Sequence, residues 1–352
     1  MPPNDVPAGG HLGDYLAFWG IWLLVVALNV AFFRVRRGRA GLGRLAAGNA
    51  AVLLLVLWTL VVAGETYVRY IYDETDQNGL TMTSLSWFQR HVKVNSRGLR
   101  DREWDPGKRP GTRRVACVGD SFTMGWGVPN PADAYPQRIG AALEADSPGR
   151  FEVRNYGVPG FATSHEVKFL GQILPTDSLD RVILGYCIND ADDLFPPGRA
   201  FDRNAVRSVP FISRERSFLA DFLWFRLHTT DDPRVRDYFT NEIEAYQDAD
   251  LWARQVAQFR RIEELCRLGG ARLTVVVFPF FHDWGPAYRF GSCHDRVVEA
   301  WTSLRVEVID LRDAYQGLTA ADLAVNRFDA HPNARAHEIA ARTILDRVFR
   351  GR

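Results

Sequence analysis

The sequence predicts an α/β protein with a doubly wound parallel sheet, preceded by two transmembrane helices. Two long uncharged apolar runs near the N-terminus predict the helices, and a later alternation of short β-rich runs with helix-like segments predicts the sheet. Charge is balanced, with 43 Lys and Arg against 42 Asp and Glu in 352 residues. No global field therefore draws the chain to a polyanion, and nucleic acid is not expected as a partner.

The two apolar runs occupy residues 16–33 and 45–63 of an N-terminal region, 1–65, and contain no charged side chain. Each is close to the roughly 20 residues that cross a hydrocarbon core as a helix. The first run is a poor signal peptide because Asp5 and Asp14, and no basic residue, precede it. A hydrophobic hairpin buried in a soluble protein is the alternative.

The segment between the apolar runs predicts the orientation in the membrane. It is basic and carries no acidic residue, so the positive-inside rule keeps it in the cytoplasm. Both termini, and the domain after the second run, are then expected on the periplasmic or extracytoplasmic side. The basic residues are Arg34, Arg36, Arg37, Arg39 and Arg44.

Residues 66–112 are expected to form a juxtamembrane lead-in, and residues 113–352 the α/β domain. A long insertion, at about 192–250, interrupts the alternation of strands and helices. The predicted strands are 114–118, 151–155, 181–187, 273–278 and 306–309, and the clearest predicted helices are 131–145, 251–268 and 333–349.

Ligands of open α/β sheets bind beyond the carboxyl ends of the strands, so residues just after each β-rich run are the functional candidates. Ser121 comes after the first run in the turn Gly119-Asp120-Ser121, where nearby backbone N–H groups can stabilise an oxyanion. It is the candidate nucleophile, and Asp120 is a candidate substrate-binding residue. The tripeptide alone is weak evidence, because most such turns merely start helices.

Two further residues at the same edge are candidate oxyanion donors. Gly157, after the second run, can let its backbone N–H approach a substrate carbonyl closely. Asn189, after the third run, offers an amide side chain. Each also fits an ordinary turn.

The pair Asp329 and His331 stands directly before the last predicted helix. An imidazole whose other nitrogen donates to a carboxylate can take the serine proton and later return it. Side chains two residues apart in extended backbone project the same way, so Asp329 can reach His331. A histidine satisfied by local contacts at a helix start is the alternative. His282, which leaves the fourth run at this edge, is a candidate for the substrate pocket.

Four segments, GDSFTMG, NYGVPG, GYCIND and DAHPN, resemble the ordered blocks of SGNH (GDSL-type) hydrolases. The resemblance covers about residues 92–352, including the lead-in NSRGLR, and implies a flavodoxin-like fold. It implies these roles: Ser121 as nucleophile and first oxyanion donor, Gly157 and Asn189 as further oxyanion donors, His331 as base and Asp329 as its partner.

One position departs from the family pattern. The usual aspartate lies three residues before the histidine, where Phe328 stands, whereas Asp329 lies two before it. The Asp-x-His spacing resembles that of exopolysaccharide acetyltransferases. Asp190 and Asp192 are possible substitutes for Asp329.

The expected function is a membrane-anchored serine esterase acting on acyl esters of a glycan, a lipid or a small alcohol, through an acyl-enzyme. An O-acyltransferase of envelope polysaccharide, using the same triad, is the first alternative. A catalytically silent glycan-binding scaffold is the second. An α/β-hydrolase is disfavoured because its elbow needs Gly two positions after the serine, where Thr123 stands.

Neither a metal nor a cofactor is expected, because the chemistry needs none and the four cysteines lack metal-ligand spacing. Cys117 and Cys187 lie in apolar runs and are expected as small buried side chains. Cys266 and Cys293 could pair in an oxidising compartment, and the sequence leaves their disulfide state open. It also leaves the oligomeric state open.

Overall fold

The computed structural model describes residues 9–35, 41–76, 79–105, 107–194, 211–228 and 237–351. Its helices in chain order are α1 (Leu12–Val35), α2 (Leu42–Thr66), α3 (Met82–His91), α4 (Ser121–Met124), α5 (Tyr135–Asp146), α6 (Thr163–Asp177), α7 (Phe218–His228), α8 (Tyr238–Gln247), α9 (Ala249–Leu268), α10 (Gly291–Ser303), α11 (Ala320–Leu323) and α12 (Ala334–Ile344). Its strands are β1 (Arg113–Gly119), β2 (Phe151–Gly157), β3 (Arg181–Tyr186), β4 (Arg272–Val277), β5 (Glu307–Asp310), β6 (Ala324–Asn326) and β7 (Asp329–Pro332).

Five strands form one parallel sheet in the order β2-β1-β3-β4-β5. This is the flavodoxin-like order, in which the chain changes direction across the sheet between β1 and β3. The predicted fold class is therefore confirmed. Gly119 at the end of β1 pairs with Gly157 of β2 and Gly185 of β3, so the strands beside the switch point end level with one another.

The central strands are apolar because helices cover the sheet. In β3 and β4 every residue after the first is buried, as expected of parallel strands enclosed on both faces. Helix α5 packs on β2 and α12, whereas α9 packs on β4 and α6. The buried core includes the large side chains of Tyr135, Tyr156, Tyr186, Phe259 and Trp301.

A short antiparallel hairpin, β6 and β7, lies directly before α12. Asn333 fixes this junction, because its Oδ1 accepts from the backbone N–H groups of Arg335 and Ala336 and so caps α12. Its Nδ2 donates to the carbonyls of Asp322 and Ala324. The residues of β7 are thereby held rigidly in front of a helix.

The described residues form two compact units, 1–90 with 203–232 and 91–202 with 233–352. The segment 66–112 that the sequence groups together is thus divided between them, because Val68, Met82, Leu85 and Phe218 form a small core of their own. The predicted insertion at about 192–250 contributes α7 to the first unit and α8 to the second. Its residues 195–210 and 229–236 lie outside the described residues.

In the first unit, α1 and α2 form an antiparallel hairpin. The Tyr15 hydroxyl lies 3.0 Å from Thr66 Oγ1, and the Trp22 indole N–H donates to Thr59 Oγ1 at 2.9 Å. Residues 12–35 and 42–71 are long and apolar enough to cross a membrane, which is compatible with a membrane anchor. Arg36, Arg37 and Arg39 of the basic loop lie outside the described residues.

Candidate active site

The predicted nucleophile, Ser121, is the first residue of α4 and lies at the carboxyl end of β1. Asp120 caps this helix, since its Oδ1 accepts from the N–H of Phe122 at 2.8 Å. The turn is tight because Gly157 lies against it, where a Cβ would collide with the backbone nitrogen of Met124. The two glycines at the ends of β1 and β2 thus let the chain place a serine at the switch point.

Ser121, His331 and Asp329 lie in one hydrogen-bonded row. His331 Nε2 is 2.8 Å from Ser121 Oγ, and His331 Nδ1 is 2.5 Å from Asp329 Oδ1. The same Asp329 oxygen accepts from the backbone N–H of His331 at 3.0 Å. The imidazole therefore contacts the hydroxyl with one nitrogen and the carboxylate with the other, as base catalysis at serine requires.

The row is shielded from water at its carboxylate end. Asp329 is 0% exposed, His331 6% and Ser121 9%. The indole N–H of Trp126 donates to Asp329 Oδ2 at 3.2 Å, and the ring of Phe122 lies 5.3 Å from that of His331. The bond that orients the imidazole thus lies in a dry environment, where a charged hydrogen bond is stronger than in water.

The predicted alternatives to Asp329 have other partners. Asp190 Oδ2 accepts from the N–H of Cys187 at 2.8 Å, and the carboxylate of Asp192 accepts from the Tyr238 hydroxyl at 3.1 Å. The carboxylate that bonds to His331 is that of Asp329.

Gly157 lies beside the Ser121 turn, but its backbone N–H already has an acceptor. It donates to Asn155 Oδ1 at 2.9 Å. That side chain is itself fixed, since Asn155 Nδ2 donates to the carbonyl of Thr123 at 3.0 Å. An oxyanion role for Gly157 therefore requires that its N–H be shared with Asn155 or exchanged from it.

Asn189 lies in the 3₁₀ turn Ile188–Leu194 after β3, at the same sheet edge as Ser121. Both neighbouring carbonyls are held: Ile188 O accepts from the Tyr246 hydroxyl at 2.7 Å, and Asp190 O accepts from Thr163 Oγ1 at 3.1 Å. The Oδ1 atom of Asn189 is buried without a hydrogen-bond partner. The backbone at Asn189 is thus fixed, while part of its side chain is uncommitted.

The hydroxyls that hold this turn belong to one buried network. Gln255 Nε2 donates to Thr163 Oγ1 at 2.7 Å and to the Tyr186 hydroxyl at 3.1 Å. Tyr186 and Tyr246 bond to each other through their hydroxyls. Helices α6, α8 and α9 and strand β3 therefore all contribute to the position of the Asn189 turn.

Behind the nucleophile turn lies a group of buried acids, Asp120, Glu166 and Asp190, at most 1% exposed. Burial raises the pKa of Glu166 and of Asp190 well above the ordinary values, and the charges of the other acids add to the effect. Burial likewise raises the pKa of Asp120. Both carboxyl oxygens of Glu166 lack a hydrogen-bond partner. A neutral, protonated Glu166 is the form that this environment favours.

His282 lies in the turn Phe281–Asp283 after β4, with its ring 4.7 Å from that of Phe239 and 4.8 Å from that of Phe280. Burial lowers the pKa of His282 to about 3. A neutral imidazole among aromatic rings can line an acyl pocket but cannot supply a positive charge near neutral pH.

Several residues at this site have no signal in the sequence motifs: Trp126, Glu166, Tyr246 and Gln255. Trp126 directly follows the first motif. The other three lie outside the motifs in the sequence, and the fold brings them to the site. Asp120, which the sequence suggests as a substrate contact, is 1% exposed and bonds to Phe122 N and, at 3.3 Å, to Ser121 Oγ. Its contacts are with α4.

All four cysteines are buried and unpaired. Burial raises the pKa of the Cys293 thiol to about 11 and of Cys266 to about 12, so thiolates are rare at neutral pH. Within the described residues, no group of three or more His, Cys, Asp or Glu side chains is arranged to hold a metal ion.

The chain is similar to several solved structures, all at low sequence identity. It is similar to the crystal structure of TesA (14% identity, 68% of this chain and 99% of that one, TM-score 0.43). It is also similar to a variant of Axe2, an acetylxylan esterase from Geobacillus stearothermophilus (16% identity, 68% of this chain and 95% of that one, TM-score 0.43). A third similar structure is that of a lipolytic protein of the G-D-S-L family from Veillonella parvula DSM 2008 (14% identity, 68% of this chain and 99% of that one, TM-score 0.42).

No curated protein sequence matches this chain. The model of the GDSL-like lipase/acylhydrolase family matches residues 117–339, more than half of the chain. This match extends from β1, before Ser121, through β7 and into α12. The chain therefore belongs to the GDSL-like lipase/acylhydrolase family and is an ester-hydrolysing serine hydrolase.

Proposed function

We propose that this enzyme is a membrane-anchored esterase in which Ser121, His331 and Asp329 form the catalytic triad. The observation that carries the proposal is the position of His331, with Nε2 at 2.8 Å from Ser121 Oγ and Nδ1 at 2.5 Å from Asp329 Oδ1. Each distance is within the hydrogen-bond reach that proton transfer needs.

In the acylation step, Ser121 Oγ attacks the ester carbonyl while His331 Nε2 takes the hydroxyl proton. The imidazolium that forms is stabilised by the Asp329 carboxylate. Collapse of the tetrahedral intermediate breaks the bond to the alcohol, which leaves with the proton from His331. The products of this step are an acyl-enzyme on Ser121 and a free alcohol.

The negative charge of the intermediate needs preorganised donors. Ser121 begins α4, and its backbone N–H has no partner within the helix, whereas the N–H of Phe122 donates to Asp120 Oδ1. The Asn189 amide and the Gly157 N–H supply further donors, the latter when it is released from Asn155. Water, activated by His331, then hydrolyses the acyl-enzyme and regenerates the serine.

The proposed anchor consists of α1 and α2, and the basic loop between them favours an extracytoplasmic catalytic domain. Substrates in that compartment are acyl esters of envelope glycans, of lipids or of small alcohols. Transfer of the acyl group to a polysaccharide hydroxyl is a second candidate, favoured by the Asp-x-His spacing of Asp329 and His331. It differs from hydrolysis only in the nucleophile that attacks the acyl-enzyme.

The test uses the detergent-solubilised full chain with p-nitrophenyl esters of graded chain length. Ser121→Ala is expected to abolish hydrolysis and labelling by a serine-reactive phosphonate. Ser303→Ala, at the exposed end of α10, is the matched control and keeps both. Full activity of Ser121→Ala, with no label on the wild type, would refute the mechanism.

Two further readouts distinguish the substrates. A sharp preference for acetate points to glycan deacetylation or transfer, whereas a preference for long chains points to lipids. If adding an acceptor sugar does not reduce the amount of hydrolysis product, the result contradicts the acyl-transfer alternative.

A further inference from the structure

Helix α7, Phe218–His228, is apolar on two sides, although it is only 11 residues long. One side is buried, with Phe218 at 0% exposure. On the other, Leu223 is 46% exposed and Leu227 65% exposed. These two residues are four apart and share one face, which we call the leucine face of α7. Exposed apolar side chains that share one face are a feature of surfaces that contact an apolar partner.

The N-terminus of α7 is fixed to the end of α2. The Glu65 carboxylate accepts from Ser217 Oγ and from the backbone N–H groups of Phe218 and Leu219, each at 2.9 Å. It also accepts from Arg69 Nε at 2.9 Å and Nη2 at 2.7 Å. Glu65 and Arg69 are 0% exposed. This ion pair therefore fixes where α7 begins relative to the hairpin of α1 and α2.

At the position along the α1–α2 hairpin where α7 begins, four aromatic side chains lie near one another. We call them the aromatic girdle: Tyr15, Trp19, Tyr67 and Tyr70. The Tyr15 ring lies 5.0 Å from that of Tyr70 and 6.5 Å from that of Trp19. Tyr67 and Tyr70 are 51% and 43% exposed. Tyr and Trp are enriched where a membrane helix crosses from hydrocarbon to headgroups, so the girdle marks an interface.

The length of the second apolar segment agrees with this level. Residues 42–71 form 30 consecutive helical positions, which is about 45 Å at 1.5 Å per residue. A hydrocarbon core is about 30 Å thick. A helix parallel to the bilayer normal would therefore leave about 15 Å outside the core, shared between its two ends, and its final turns carry Glu65, Arg69 and the attached α7.

Contacts along α7 hold it against this end of the hairpin. Arg226 Nη2 donates to the Tyr72 hydroxyl at 2.8 Å, and the ring of Phe222 lies 5.0 Å from that of Tyr72. The packed side of α7 thus faces the end of α2, with Leu219 against Gly64, and the leucine face lies beside this packed side and is exposed.

We propose that α7 is an interfacial membrane helix whose Leu223 and Leu227 side chains enter the boundary between headgroups and acyl chains. The partner is the lipid surface of the bilayer that α1 and α2 cross, so the inference rests on the proposed membrane anchor. Such a helix fixes the protein at three points, two spans and one surface contact.

The test places one nitroxide label at each of three exposed leucines in the full chain, reconstituted in phosphatidylcholine–phosphatidylglycerol nanodiscs. The variants are Leu23→Cys in α1, Leu227→Cys in α7 and Leu268→Cys in α9, where the native leucines are 59%, 65% and 68% exposed. The native cysteines are buried. Collisions with oxygen report lipid, and collisions with a water-soluble nickel chelate report water. Hydrolysis of a soluble ester verifies that each labelled chain is folded.

The label at Leu227 is expected to favour oxygen over nickel, at a depth shallower than the label at Leu23, whereas the label at Leu268 favours nickel. Adding Leu223→Glu to the Leu227 label is expected to raise nickel access, because the face then carries a charge. A Leu227 label as wet as that at Leu268 would overturn the inference, and so would one that neither reagent reaches, since protein then covers the face. A wet label at Leu23 would instead refute the anchor itself.

Discussion

Two buried polar sites in this molecule differ in how completely their polar atoms have hydrogen-bond partners. In the first unit, every side-chain nitrogen and oxygen of Glu65 and Arg69 has a hydrogen-bond partner. Near Ser121 in the second unit, Glu166 has two unpaired oxygens and Asn189 has one. Unpaired buried groups are costly, and native proteins usually keep few of them.

The difference separates a structural site from a functional one. A fully satisfied ion pair fixes two chain segments and has no capacity left for a ligand. Unpaired buried atoms at the carboxyl edge of a sheet cost stability, and such costs are concentrated at functional sites. On this view, changes at Glu65 and Arg69 should alter stability alone, whereas changes to Asp329 and to the turn that carries Asn189 should alter rates.

The largest expected effect is a fall in kcat when the carboxylate that orients His331 is replaced. Asp329→Asn keeps the shape of the side chain but disfavours the imidazole tautomer that accepts the serine proton, so kcat should fall about 10⁴-fold. Asp190→Asn is the matched control, because an amide oxygen can still accept from Cys187 N, and it should change kcat less than about tenfold. Steady-state kinetics on a soluble ester measure both. Equal losses in the two variants would mean that Asp329 has no special role.

The next largest effect is expected at the buried ion pair of Glu65 and Arg69. Arg69→Met leaves the Glu65 carboxylate buried without its cation, which should lower the free energy of unfolding by about 3–5 kcal/mol. Thermal unfolding in detergent measures the loss. The kcat of the molecules that remain folded should be unchanged, whereas a fall in kcat at full stability would contradict the structural assignment. Arg109→Met, at the exposed pair with Asp105, is the control and should leave the free energy of unfolding nearly unchanged.

The sequence predicts the sheet, because five apolar runs separated by helical segments admit few topologies, and parallel strands place the residues after their carboxyl ends at one edge. It also predicts the proximity of Ser121, His331 and Asp329, since each lies just after a run or just before the last helix. It does not predict the network behind Asn189. Tyr246 and Gln255 come from helices that pack there only in the folded chain, and a tyrosine within a helix gives no sign of its partner.

A smaller effect is expected from that network. Tyr246→Phe removes the hydroxyl that donates to Ile188 O at 2.7 Å, so the turn carrying Asn189 should loosen and kcat should fall about tenfold, equivalent to about 1.4 kcal/mol. KM should change less than about twofold if Asn189 acts mainly in the transition state. Tyr315→Phe removes a similar bond, from a buried hydroxyl to Ala336 O at 2.9 Å, and should leave kcat unchanged. A similar fall in kcat in both variants would indicate a general loss of packing.

The smallest effect on rate, and the most specific one, concerns the unpaired acid Glu166. Its raised pKa means that the folded state keeps a proton which the unfolded state releases above about pH 4.5. This group therefore stabilises the fold fully at low pH, and the stabilisation is lost as pH rises. Glu166→Gln imitates the protonated acid at every pH.

The stability of the Glu166→Gln variant, relative to wild type, should consequently increase from pH 5 to pH 8, by at most about 1.4 kcal/mol per pH unit. Its kcat at pH 7 should stay within about threefold of wild type. Glu264→Gln, on the partly exposed side of α9, should show no such trend. A pH-independent difference accompanied by a large loss of kcat would mean that Glu166 is ionised and acts on the substrate. Glu166 would then be a further catalytic carboxylate, whereas Glu65, whose oxygens are all paired, has a structural role only.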